Sequence, residues 1–113
     1  MKKIKYVYVA GPYSRPVPNH NVKRAIEAAD KLLAAGFVPY LPHLTHLWDT
    51  VSPHDYEEWL ALDLAWIERC DALLRLPGES SGADREVGHA KALGLPVFGQ
   101  LEGLLHERRE GRV

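Results

Sequence analysis

Short runs of β-branched and aromatic residues alternate with longer runs of helical period, and this alternation limits the fold more than any other feature. Ile4-Lys5-Tyr6-Val7-Tyr8-Val9-Ala10 reads as a strand that Gly11-Pro12 stops. Val22, Ala25, Ile26, Ala29, Leu32 and Leu33 then recur at helical spacing, with Asn19 or Asn21 as the cap and Gly36 as the stop. Phe37 to Leu41 predicts a second strand, placed at a sheet edge because Pro39 cannot donate to a ladder. Pro42 to Pro53 reads as a loop, and Asp55 caps a helix that runs to Cys70. Ala72 to Leu76 predicts a third strand, Gly82 to Leu93 a helix, Pro96-Val97-Phe98 a short strand and Leu101 to Arg109 a last helix. Strands that alternate with helices form parallel βαβ units. The expected fold is a three-layer α/β sandwich of the Rossmann or flavodoxin type, with a four- to five-stranded, mainly parallel sheet. Ligands of such sheets bind at the carboxyl ends of the strands, so the loops after Ala10, Leu41 and Leu76 are where function is expected.

The 113 residues suit one domain over residues 1–113, with a single core. A net charge of −1 argues against salt-driven binding to a nucleic acid polymer, while a few local donors still suffice for a small anion. The single cysteine, Cys70, excludes an intrachain disulfide and fits a reducing compartment. Ile4 to Ala10 is too short for a signal-peptide core, and no apolar run approaches the ~18 residues of a membrane helix. The expectation is a soluble, cytoplasmic protein with no membrane partner.

Three sets of residues suggest chemistry. Ser80-Ser81-Gly82-Ala83-Asp84-Arg85-Glu86 follows a strand and opens a helix, where free backbone N–H groups converge on an anion. Glu86 shares a helical face with Ala83, Ala90 and Leu93 and so leans inward; alone, it reads equally well as a carboxylate that only complements the helix dipole. Ser81 and Asp84 have capping-box spacing. Asp63 stands in the apolar stripe of Tyr56, Trp59, Leu60, Trp66, Ile67 and Cys70, where an acid is costly unless paired or used. It is either a structural acceptor for a loop or a catalytic or ligand-binding group, and the second reading carries more weight. Gly11-Pro12-Tyr13-Ser14-Arg15 adds a tight turn, a hydroxyl and a cation, but lacks the P-loop lysine and the three-glycine fingerprint. Tyr8, taken alone, reads first as a half-buried strand aromatic. His43-x-x-His46-x-x-Asp49 lacks a completing ligand cluster, so neither a metal nor another cofactor is expected.

Tyr8-Val9-Ala10-Gly11, Asp63 through Asp71, and Ser80-x-Gly82-x-x-x-Glu86, in that order, resemble the nucleoside deoxyribosyltransferase and deoxynucleoside-monophosphate N-glycosidase superfamily. The resemblance spans roughly Lys5 to Phe98 and is closest to small members in which Leu-Pro-Gly, here Leu76-Pro77-Gly78, precedes the serine–glycine turn. It implies that Glu86 attacks C1′ of the sugar or stabilises its oxocarbenium-like transition state. Tyr8 would orient Glu86, and Asp63 would deliver or relay a proton to the departing base. Ser80, Gly82 and Gly11, with Ser14 and Arg15 as further candidates, would hold a 5′-phosphate, and Asp71 would be structural.

The resemblance also implies a preference. Base-exchanging transferases tend to carry an acid at the position of Ser80, so a serine there resembles the nucleotide hydrolases. The expected activity is cleavage, by hydrolysis or transfer, of the N-glycosidic bond of a (deoxy)nucleoside 5′-monophosphate. The alternative is a non-catalytic nucleotide sensor that uses the same pocket. Small members of the superfamily assemble as homodimers or larger homo-oligomers, and Trp48 and Trp59 are the aromatics expected at such an interface.

Overall fold

The computed structural model describes residues 3–13 and 18–111. In chain order its elements are β1 (Tyr6–Ala10), α1 (Pro18–Ala34), β2 (Val38–Tyr40), a 3₁₀ turn (Pro42–Leu44), α2 (Thr45–Val51), α3 (Tyr56–Ile67), β3 (Ala72–Arg75), α4 (Ser81–Ala92), β4 (Val97–Phe98) and α5 (Leu101–Arg109). Among the described residues the strands form one four-stranded sheet in the order β2-β1-β3-β4. Every pairing is parallel: Tyr8 lies opposite Tyr40 on one side and Leu73 on the other, and Leu74 lies opposite Phe98. The expected α/β sandwich is therefore present, with β2 at an edge as Pro39 requires.

Alternation along β1 and β3 builds the layers. Val7, Val9, Ala72 and Leu74 face one way, against Ala25, Ala28 and Leu32 of α1 and Leu104 of α5. Tyr8, Ala10 and Leu73 face the other way, against Ile67, Ala83 and Ala90 of α3 and α4. Full burial of each large aliphatic side chain contributes roughly 1.5–3 kcal/mol. Tyr8 thus places a phenol hydroxyl among the apolar side chains of this face, where it requires a partner. The strand order reverses between β1 and β3, and this opens a crevice at their carboxyl ends.

Several local expectations change. Asn19 and Asn21 do not cap α1, because the helix already begins at Pro18; Asn21 lies in its first turn, with Nδ2 donating to the Tyr13 carbonyl at 2.9 Å. Gly36 does end the unit, at φ +94°, where its N–H and that of Phe37 close onto Leu33 and Leu32. Pro42 to Pro53 is not a loop but the 3₁₀ turn and α2. Pro42 fits the first position of a helical turn, and Thr45 Oγ1 donates back to its carbonyl at 2.7 Å. Helix α3 stops at Ile67 rather than Cys70, because the Asp71 N–H already pairs with the Tyr6 carbonyl of the sheet. Asp71 Oδ2 accepts from the Lys5 and Tyr6 N–H groups, both at 2.9 Å, and this clamps the start of β1.

Candidate active site

The carboxyl ends of β1 and β3, together with α2, α3 and the first turns of α4, enclose a cavity of about 800 Å³. Glu86 and Asp63 line it, and behind Glu86 the fully buried Tyr8 donates its hydroxyl to Glu86 Oε2 at 2.7 Å. Glu86 faces the sheet from the second turn of α4 and is 7% exposed. Burial is the main force that raises its carboxyl above the ordinary range; Tyr8 opposes that rise, and the neighbouring Asp63 adds to it. Asp63 enters from α3 within hydrogen-bonding reach of Glu86, and burial lifts it to about 6. Its Oδ1 is buried and has no hydrogen-bond partner among the described residues. Burial first, and the two carboxylates next, push the Tyr8 hydroxyl far above its usual range, so it stays a donor. Two acids and a phenol therefore meet in a desolvated pocket, where proton sharing between carboxyls is favoured over two bare charges.

The chain from residue 5 to residue 99 matches the family described as a domain of unknown function, DUF7768. The chain belongs to the DUF7768 family. No curated protein matches the sequence. Among solved structures, the DUF7768 domain is similar to a 2-deoxyribosyltransferase from Leishmania mexicana (TM-score 0.63, 22% identity), covering 82% of this chain and 61% of that one. It is also similar to the 2-deoxyribosyltransferase of Bacillus psychrosaccharolyticus (TM-score 0.59, 22% identity), covering 84% of this chain and 74% of that one. At that identity the likeness establishes the fold. The domain spans less than two thirds of the Leishmania enzyme.

The remaining expected site residues fall at one end of the cavity, with qualifications. Ser80, Gly82 and Gly11 all line it. Ser80, not Ser81, is the cap of α4: its Oγ accepts from the Ala83 N–H at 3.0 Å, while Asp84 pairs with Arg75 at 3.1 Å instead of completing a capping box. A Cβ on Gly11 would stand 3.0 Å from Leu76 Cβ, so this glycine lets the loops after β1 and β3 approach each other. A Cβ on Gly82 would stand 3.2 Å from the Tyr56 hydroxyl. Ser14 and Arg15 lie outside the described residues. Arg75 holds the β3–α4 loop through the Leu76 and Gly78 carbonyls.

The far wall was not legible as a site in the sequence. Asp49 Oδ1 accepts from Trp59 Nε1 at 2.6 Å and from the His54 N–H at 3.0 Å, tying α2 to the start of α3. These two bonds hold the Asp49 carboxyl below its usual range. Trp59 is accordingly half-buried rather than exposed, while Trp48 remains exposed and meets it edge-on at 5.1 Å. Buried His43 binds the Pro12 carbonyl through Nε2 at 3.1 Å, and burial lowers its basicity. Among the described residues no group of three or more His, Cys, Asp or Glu side chains is placed to hold a metal ion. None of the described helices is long and apolar enough to cross a membrane.

Proposed function

We propose that the domain cleaves the N-glycosidic bond of a (deoxy)nucleoside 5′-monophosphate, with water or a second base as acceptor. The observation that carries this reading is the 2.7 Å bond from Tyr8 to Glu86, with the Asp63 carboxyl beside Glu86 in the wall of one cavity. Glu86 Oε attacks C1′ as the bond from C1′ to the base nitrogen breaks. The base leaves with the bonding electron pair and takes a proton from Asp63. A water molecule then attacks C1′, frees Glu86 and returns a proton to Asp63. A pair of buried acids that holds one proton between them has the nucleophile and the acid this sequence needs. Glu86 is raised further than Asp63, so the resting pair holds its shared proton mainly on Glu86; the reactive arrangement is the one in which that proton has moved to Asp63 and the Tyr8 hydroxyl stabilises the ionised Glu86.

Ser80, Gly82 and Gly11 would hold the 5′-phosphate at the start of α4, where the helix presents N–H groups. Incubation with a panel of ribo- and deoxynucleosides and their 5′-monophosphates, followed by chromatography for free base, tests the reading. Release by wild type and its loss in Glu86→Ala supports it. No release from any member by the wild-type protein overturns it, and tight binding of an intact nucleotide would favour a sensor. The reading also includes self-association through the exposed face of Leu44, Leu47, Trp48 and Val51, which recur at helical spacing through α2, and a reducing cytoplasmic setting. Light scattering that gives a monomer mass at high concentration would remove the first of these.

A further inference from the structure

Among the described residues His43 makes its hydrogen bond to a carbonyl through Nε2, with the Gly11 backbone also close by. Its Nε2 donates to the Pro12 carbonyl, which leaves Nδ1 without a hydrogen; the ring is 4% exposed, and burial keeps it neutral. Nδ1 is therefore an obligate acceptor, and it is buried without a hydrogen-bond partner among the described residues. A buried acceptor left unpaired is costly, and in a cavity wall the missing donor is naturally a ligand. The Tyr13 hydroxyl lies in the same wall, also buried without a partner among the described residues, with its ring edge-on to His43 at 6.3 Å. Asp49, held ionised, contributes acceptor oxygens to that wall, while Trp59 Nε1 and Thr45 Oγ1 are already spent on Asp49 and the Pro42 carbonyl. His43 Nδ1 and the Asp49 carboxylate are both acceptors, and the Tyr13 hydroxyl can serve either way, so this end favours a ligand that carries N–H donors.

The strand order supplies the direction. His43 and α2 follow β2, and Ser80 follows β3, with β1 between them. A nucleotide with its phosphate at Ser80 and its sugar at Glu86 has its base pointing toward His43. We propose that His43 Nδ1 is a specificity-determining acceptor of the base subsite, and that the preferred base carries an exocyclic amino group that donates to it. This deepens the proposed function and rests on it. A keto base of the same shape would set a carbonyl oxygen against the Nδ1 lone pair, which pairs neither atom.

The test is calorimetric binding on a Glu86→Gln background, which keeps the ligand intact. The probes are deoxyadenosine against deoxyinosine 5′-monophosphate, and deoxycytidine against deoxyuridine 5′-monophosphate. The amino member of at least one pair is expected to bind about tenfold more tightly. His43→Gln retains an amide donor for the Pro12 carbonyl but loses the Nδ1 acceptor, so the ratio should collapse toward one. His43→Asn puts an oxygen near the Nδ1 position and should preserve the preference even where the loss of the Pro12 bond lowers stability. Equal affinity within both pairs, or an unchanged ratio in His43→Gln, overturns the assignment and leaves nucleotide cleavage standing. If none of the four nucleotides binds, the nucleotide reading falls and this inference falls with it.

Discussion

Replacing Glu86 by glutamine should stabilise the fold, and increasingly so as the pH rises. The ordinary carboxyl value is 4.5, and burial in this site lifts Glu86 to about 8. Between those values the unfolded chain has lost the proton that the folded chain still holds. Wild-type stability therefore falls as pH rises through the window and is unaffected by this group below it. At ~1.4 kcal/mol per pH unit the window sets a ceiling of about 5 kcal/mol. Asp63 shares the same proton, so about half of that ceiling is the working figure, or roughly 2–3 kcal/mol at pH 8. Glutamine removes the ionisation but keeps an oxygen to accept from Tyr8 and gains an N–H for Asp63. For a domain of this size the gain corresponds to a rise of roughly 10 °C in melting temperature. Thermal melts followed by circular dichroism at pH 4, 6 and 8 provide the assay. A difference between variant and wild type that does not change with pH, or a variant that is less stable at pH 8, refutes the shared-proton description of the pair.

Four further outcomes follow from the geometry. Asp71→Ala strands the Lys5 and Tyr6 N–H groups at the entry to β1 and should cost about 2 kcal/mol in denaturant melts, with base release unchanged in any fraction that stays folded. Ser80→Ala loses the α4 cap and about 1 kcal/mol. Ser80→Asp keeps a cap and stability but should repel a monophosphate while sparing the unphosphorylated nucleoside; equal loss on both substrates would count against a phosphate at this turn. Gly11→Ala pushes a methyl into Leu76 and should destabilise by roughly 1–3 kcal/mol, measured by urea titration.

Much of the scaffold was readable because its signals are local. The β-branched run before Gly11-Pro12, the helical stripe ending at Gly36 and the acid out of place at Asp63 each carry a physical meaning within a few residues. The carboxylate end of the cavity was legible for the same reason: Asp63 breaks a stripe, and Glu86 follows a small-residue turn after a strand. Helix α2 was missed because prolines at both ends of its segment signal a loop, although Leu44, Leu47, Trp48 and Val51 repeat at helical spacing. The His43–Asp49 wall could not be read. The tautomer of His43 depends on a carbonyl 31 residues earlier, and Asp49 finds Trp59 only once α2 folds back on α3. The stripe on α3 was right at its centre and wrong at its flanks, since Trp66 lies outside, stacked on Tyr40 at 4.9 Å.

The placement of β1 in mid-sheet has a consequence for how the chain comes into being. Tyr8 is made well before Glu86, and its hydroxyl finds an acceptor only 78 residues later, at Glu86. During synthesis the β1-α1-β2 unit can pair along one edge, but β1 must leave its other edge open until β3 emerges. Until then the phenol can be satisfied only by water, so the inner face of β1 has to stay wet. Closure of the pocket and dehydration of the sheet are thus a single late event. A ribosome-bound chain that stops short of α4 should lack the cooperative core on that face.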